Sequence, residues 1–204
     1  MNEMTLTALK ALERRGFTVH TFESAAEMED FLVSAVPEDK SVGFGGSMTL
    51  CRDLAVYERL KAKNENVWYH GVPSDLPREE IFRRAHNADI YMLSANAISA
   101  DGAILNIDGN GNRVAAMIFG PNVVYIAVSE SKFCPDRESA LQRAKSVACV
   151  ENAKRLGKKT PCALAGKCAD CRSADRICSH TVWTDWVPKG REYHICVCPD
   201  KVGF

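Results

Sequence analysis

The sequence predicts an α/β fold: a Rossmann-like, mostly parallel sheet with helices on both faces, followed by a cysteine-rich loop and a β-hairpin. Three observations lead there. Short apolar runs alternate with segments of helical period through the first half of the chain, the pattern of βαβ units. Of the 204 residues 46% are hydrophobic, enough for one substantial core. Glycines and prolines punctuate the boundaries between the two kinds of segment.

Leu6, Leu9 and Leu12 recur at helical spacing before Gly16, so a first helix is expected over Thr5 to Arg15. Thr18 to Phe22 reads as a strand. Ser24 with Glu27 three residues on is a capping box, opening a helix that ends before Pro37. Ser41 to Phe44 is the next strand. Leu50, Leu54, Tyr57 and Leu60 then repeat at helical spacing, followed by a strand near Val67, a helix from Arg78 to Ala88 introduced by Pro77, and an apolar strand from Ile90 to Ser94. From Ala103 to Val128 the runs AILNID, RVAAMIF and NVVYIAV read as closely spaced strands, the first two turning through Gly109-Asn110-Gly111. Asp136 to Leu156 is the longest helical stretch, stopped by Gly157 and Pro161. Two β-rich runs, HTVWTDWV and REYHICVC, flank Pro188-Lys189-Gly190 as a hairpin. The expected division is residues 1–157 as the α/β domain and residues 158–204 as a cysteine loop and hairpin packed on it.

The segment SVGFGGSMTL carries the first candidate site. A strand that ends in glycines and enters a helix offers unpaired N–H groups and a positive helix end, a setting for an anion. Gly45 and Gly46 allow positive φ and close approach of a ligand, and Ser47, Met48 and Thr49 follow with two hydroxyl donors. No Gly-Lys-Ser/Thr follows, and Met48 stands where a dinucleotide fingerprint needs glycine, so neither named phosphate motif applies. The structural alternative is a tight turn with Ser47 as helix cap.

A second group lies in SANAISADGAILNIDGNGNRVAAM, with Asn96, Asp101, Asn106, Asp108 and Arg113. Turn formation explains much of its Asn, Asp and Gly. Alternation places Asn106 and Asp108 on one face of a strand end, which makes Asp108 the candidate general base and Asn106 its amide neighbour in catalysis. Arg113 is a candidate bidentate partner for a carboxylate or phosphate.

Cys162, Cys168, Cys171 and Cys178 form the third group, spaced closely enough to gather around one centre. Zinc fits imperfectly because only one C-x-x-C pair is present, whereas iron–sulfur ligation tolerates uneven spacing. A redox-active or structural disulfide and plain reduced thiols are the alternatives. Cys51, Cys134, Cys149, Cys196 and Cys198 read as small packed residues.

Charge narrows the partners. Lys plus Arg and Asp plus Glu number 26 each, so no summed field steers the chain to nucleic acid or an anionic membrane. No apolar run approaches the ~20 residues needed to span a bilayer, and MNEMTLTALKALERRG reads as an amphipathic helix, not a signal peptide; a cytoplasmic protein is expected.

Taken together, GFGGSMTL, NAISADGAILNIDGNGNRVAAMIFGP, ENAKRLGKKTPC and GKCADCRSADRIC resemble the lactate-utilisation (LUD) domain family over nearly the whole chain. The resemblance implies a fold of the NagB, ribose-5-phosphate isomerase (RpiA) and CoA-transferase superfamily, with sugar-phosphate or CoA-ester ligands over the glycine loop. It carries the anion cradle to Gly45 through Thr49, with Asn96, Asp101, Asn106 and Asp108 beside it. It further implies a link to oxidation of L-lactate to pyruvate alongside iron–sulfur proteins, although no C-x2-C-x2-C-x3-C run of a ferredoxin is present. The expected partners are a small anion (phosphate, sugar phosphate or organic acid), an iron–sulfur oxidoreductase and further copies of the chain. The function expected is therefore an anion-binding protein of organic-acid utilisation with a cysteine-held iron–sulfur cluster or zinc; the alternatives are a non-catalytic or redox-sensing subunit, and an isomerase or CoA-type transferase.

Overall fold

The computed structural model describes residues 1–204. In chain order, α1 (Glu3–Arg14) and β1 (Thr18–Thr21) are followed by α2 (Ala25–Ser34) and β2 (Val42–Phe44). A π-helical turn (Thr49–Asp53) and α3 (Val56–Lys63) lead to β3 (Val67–Trp68), and α4 (Arg78–His86) to β4 (Ile90–Leu93). Then come β5 (Ala97–Ser99), β6 (Ile104–Asp108), α5 (Asn112–Phe119), β7 (Val123–Ser129) and β8 (Phe133–Cys134). α6 (Arg137–Arg143), a second π-helical turn (Ala144–Ala148), α7 (Cys149–Arg155), α8 (Pro161–Ala165), β9 (His180–Thr184) and β10 (Glu192–Cys198) complete the chain.

Local chemistry starts the helices where the sequence signals them. Asn2 caps α1 by accepting from the Thr5 N–H at 2.9 Å. Ser24 accepts from Glu27 N–H at 3.2 Å, while the Glu27 carboxylate reaches back to the Glu23 N–H at 2.9 Å, a variant of the capping box.

The central sheet has six strands in the order β1-β10-β7-β4-β2-β3, every pair parallel. Side-chain alternation along these strands divides the core. Tyr91, Leu93, Val124, Ile126, Val128, Tyr193, Ile195 and Val197 meet α1, α4 and α5 on one face. Val42, Phe44, Ile90, Met92, Tyr125, Ala127, Cys196 and Cys198 meet α2 and α3 on the other. Both faces being covered, the interior strands read as continuous apolar runs. A second, mixed sheet of order β8-β5-β6-β9 packs against α6 and α7 through Ala97, Leu105, Ile107, Cys134, Ala140, Ala144 and Cys149.

Two sequence expectations are corrected. RVAAMIF is not a strand but most of α5, because its buried residues Val114 and Met117 are three apart and the Asp108 carboxylate accepts from the Gly111 and Val114 N–H groups, both at 3.3 Å. The final two β-runs do not form a hairpin. β9 pairs antiparallel with β6, whereas β10 lies between β1 and β7 in the central sheet. The chain beyond residue 157 therefore supplies an interior strand, and residues 158–204 are not an appendage on a finished domain. Buried on both faces, Ile195 through Cys198 could not be satisfied in a two-stranded ribbon.

Gly43 shows how tightly α4 lies on the sheet: a Cβ there would stand 2.2 Å from the Ala85 carbonyl oxygen. Neither backbone can yield without moving strand or helix, so Gly43→Ala is expected to lower stability by roughly 1–3 kcal/mol, read as a reduced urea midpoint with an unchanged m-value.

Candidate functional site

All six strands of the central sheet being parallel, β2, β4 and β7 end on one edge, and each hands a polar residue to the space beyond it. After β2 the chain runs through Gly45 and Gly46 to Ser47, Met48 and Thr49; after β4 comes Ser94; after β7 comes Lys132. The edge opens into a cavity of ≈610 Å3 lined by Gly46 to Thr49, His70, Ser94, Asn96, Asp108, Arg113 and Lys132.

Gly45 N–H bonds to the Met92 carbonyl at 3.0 Å, and the N–H groups of Gly46, Ser47 and Met48 have no acceptor within the protein. Ser47 Oγ caps the helical turn, accepting from Leu50 N–H at 3.2 Å, so the capping alternative and the exposed N–H groups coexist. Neither Gly45 nor Gly46 adopts positive φ. The requirement for glycine is instead spatial: a Cβ on Gly45 would meet Arg113 at 3.1 Å, and one on Gly46 would meet the His70 ring at 3.3 Å.

Lys132 is the central cation. It is 3% exposed, and its ammonium donates to Ser94 Oγ at 2.8 Å and Thr49 Oγ1 at 3.2 Å. No carboxylate pairs with it. Burial, reinforced by Arg143 and Arg113, pulls its pKa down to about 7. Arg113 holds the rim, donating to the carbonyls of Ser94 at 3.2 Å and Ile107 at 2.6 Å and to Asn96 Oδ1 at 3.1 Å, with Asp108 Oδ2 at 3.5 Å from its Nε. His70 packs on Phe82, and burial beside Arg78 pushes its pKa down to about 4, so its imidazole is neutral near pH 7.

Charge distinguishes this cavity from the rest of the molecule. Arg78, Arg113, Lys132, Arg155, Lys158 and Arg176 line it against only Asp108 and Asp175. A chain with no net charge thus concentrates cations in one cleft, whose low-dielectric walls focus the field on an incoming anion.

Of the residues singled out from sequence, Gly46, Ser47, Met48, Thr49, Asn96, Asp108 and Arg113 meet at the cavity. Gly45 lies beneath it against Arg113. Asn106 does not line it: the side chain is 1% exposed and its amide faces the Met117 sulfur at 3.5 Å under α5. Asp101 is elsewhere, bonded to Arg15 and Arg137 at 3.0 and 2.8 Å. Asp108 uses both oxygens to cap α5 and one of them to face Arg113, the arrangement of a residue that positions a helix and a guanidinium. Ser94, Lys132, His70 and the outer arginines escaped the sequence reading. For Ser94 and Lys132 a signal existed, a polar residue just past an apolar parallel strand.

The cysteines gather at a neighbouring, smaller cavity of ≈50 Å3, lined by Cys162, Cys168, Cys171, Cys178 and also Cys149. All nine cysteines are free thiols, and no three His, Cys, Asp or Glu side chains converge closely enough to hold a single metal ion. Cys51, Cys134, Cys196 and Cys198 pack into the cores. No helix is long and apolar enough to cross a membrane.

A family model described as the LUD domain matches residues 7–198. The fold is similar to the crystal structure of a DUF162 family protein from Deinococcus radiodurans, with a TM-score of 0.55 over 96% of each chain at 12% identity, a likeness that concerns the fold alone. No curated protein matches the sequence.

Lys132 carries a measurable signature. With its pKa lowered to about 7 against ~10.4 in an unfolded chain, the unfolded state binds more protons between these values, and stability rises as pH increases through that window. Urea midpoints from pH 7 to 10 should show that rise, superimposed on other titrations, and Lys132→Met should flatten it; an unchanged slope would contradict the assignment.

Proposed function

We propose, on the premise that the chain belongs to the LUD domain family, that it serves a role related to lactate utilisation by binding a small anionic metabolite. The phosphate or carboxylate of that metabolite sits between the Gly46–Thr49 loop and Lys132, with Arg113 at the rim. The single observation that carries this reading is the conjunction of three unsatisfied N–H groups with six cations around one cavity. A helix end or a lone lysine is common; an uncompensated buried ammonium beside free amide donors is costly unless an anion completes it. The cavity size is within the range of small-metabolite sites.

In this reading Lys132 and the loop amides neutralise the anion, and Ser94 and Thr49 hold the ammonium in place. Asp108 orients Arg113 and starts α5. Cys162 in α8 and Cys168, Cys171 and Cys178 in the loop after it belong to the same reading as ligands of a metal ion or iron–sulfur cluster beside the pocket, with an iron–sulfur oxidoreductase as the partner that would exchange electrons.

Thermal shift with sulfate, phosphate, a sugar phosphate, L-lactate and CoA tests the pocket. A ligand present at 100 times its Kd adds ~2.7 kcal/mol, which for a chain of this size raises Tm by roughly 5–10 °C. Ser47→Ala combined with Thr49→Ala should reduce that shift, and Lys132→Met should abolish it. Flat melting curves with all five anions would remove the reading. Sulfate keeps a constant charge above pH 4, so its binding isolates the lysine: affinity should increase as pH falls from 8.5 to 6 and Lys132 gains its proton, and the Lys132→Met protein should lose that increase.

A further inference from the structure

We infer that the large cavity takes a metabolite with two anionic ends joined by a short hydroxylated spacer, one end on the Gly46–Thr49 loop and Lys132, the other on Arg78, Arg155 and Lys158. The inference rests on the reading of the loop and Lys132 as an anion site and extends it to the class of ligand. Segments far apart in sequence bring the outer cations together: Arg78 begins α4, Arg155 ends α7 and Lys158 follows the Gly157 turn, and all three line the cavity. None of the three is ion-paired. Glu80 on α4 serves Arg83 and Arg84 instead, at 2.6 and 2.7 Å, and Glu151 on α7 serves Lys154 at 2.8 Å. The two carboxylates of the cavity are engaged as well, Asp108 with Arg113 and the start of α5, Asp175 with the Lys159 N–H at 3.0 Å.

Like charges gathered without a counter-charge repel one another, and a bound anion relieves that repulsion. Their shared reach is visible at His70. Its ring lies 3.3 Å from where a Cβ on Gly46 would stand. After burial, the charges that lower its pKa to about 4 are Arg78 and Arg155, opposed by Asp108. His70 therefore touches the glycine loop while lying in the field of both arginines, so inner and outer cations address one ligand space. Arg155 is held in place, its Nε and Nη2 donating to Asn152 Oδ1 at 3.0 and 2.7 Å, and a planar guanidinium suits phosphate or carboxylate. Size agrees, because ≈610 Å3 is far more than one inorganic anion fills. The neutral polar lining includes Asn110, Asn112 and Asn152, amides that can hydrogen-bond the hydroxyls of a spacer.

Calorimetric titration of the full chain with fructose 1,6-bisphosphate, fructose 6-phosphate and inorganic phosphate, all at one ionic strength, tests the second end. The bisphosphate should bind about tenfold or more tighter than the monoester, the increment of one further charge-assisted contact. Arg78→Gln combined with Arg155→Gln should erase most of that advantage. Arg83→Gln combined with Lys154→Gln removes the same charge from the same helices outside the cavity and should keep it. All four side chains are exposed, so both double variants should melt as cooperatively as the parent. A bisphosphate no tighter than the monoester, with phosphate still bound, would overturn the two-ended ligand and leave the inner site standing. An advantage that survives loss of Arg78 and Arg155, or that falls equally in both double variants, would overturn it too, by assigning the gain to the general field. Binding of neither ester nor phosphate would remove the inner site and this inference with it.

Discussion

The Arg113 guanidinium is the joint on which the site turns. It donates to the Ser94 carbonyl at the end of β4, to the Ile107 carbonyl in β6 and to Asn96 between the two sheets, and it faces Asp108. A rigid planar fork with five donors can satisfy such a spread of acceptors where a lysine could not. Because Asp108 also caps α5, one ion pair sets the start of that helix, the meeting of the two sheets and the rim of the cavity together. Asn96 joins the same network from its other side, its Oδ1 accepting from Ile107 N–H at 2.8 Å.

Below this rim lies the opposite electrostatic situation. Lys132 has hydroxyl partners and no carboxylate, and three amide N–H groups of the glycine loop have no acceptor. Folding buries the ammonium without an ion-pair partner, while the loop amides face the cavity with no acceptor from the chain. Elsewhere cations meet carboxylates in networks such as that of Asp101, Arg15, Arg137 and Asp185. The imbalance is local, at the carboxyl edge of a parallel sheet, which is where such folds bind ligands. Gly203 closes against it: at φ +75°, a Cβ there would stand 2.2 Å from Thr49 Oγ1.

The cysteine loop adjoins this edge because β9, which follows it, pairs with β6. Asp108 makes the connection at the backbone level too, its carbonyl accepting from Ser179 N–H at 2.9 Å. The strand end that anchors Arg113 thus also anchors the last part of the thiol loop.

Much of this was determined by the sequence alone, because it depends on local periodicity and local chemistry. Leucines at helical spacing, the Ser24 and Glu27 cap, apolar runs for buried parallel strands and the glycine loop ahead of Ser47 all act within a few residues. The matching elements, α1, α2, β2 and β4, appear where the pattern puts them. What only the tertiary structure decided depends on partners distant in sequence. VAAMIF suits strand or helix equally, and the Asp108 cap with burial of Met117 selected the helix. REYHICVC is a strand under any reading, but a place between β1 and β7 requires partners 176 and 69 positions earlier. Asn106 and Asp108 alternate as expected, yet α5 covers one and the cavity meets the other. Lys132 carries no motif at all: its meaning comes from the convergence of three strand ends, which places an ammonium at the cavity with hydroxyl partners and no ion-paired carboxylate.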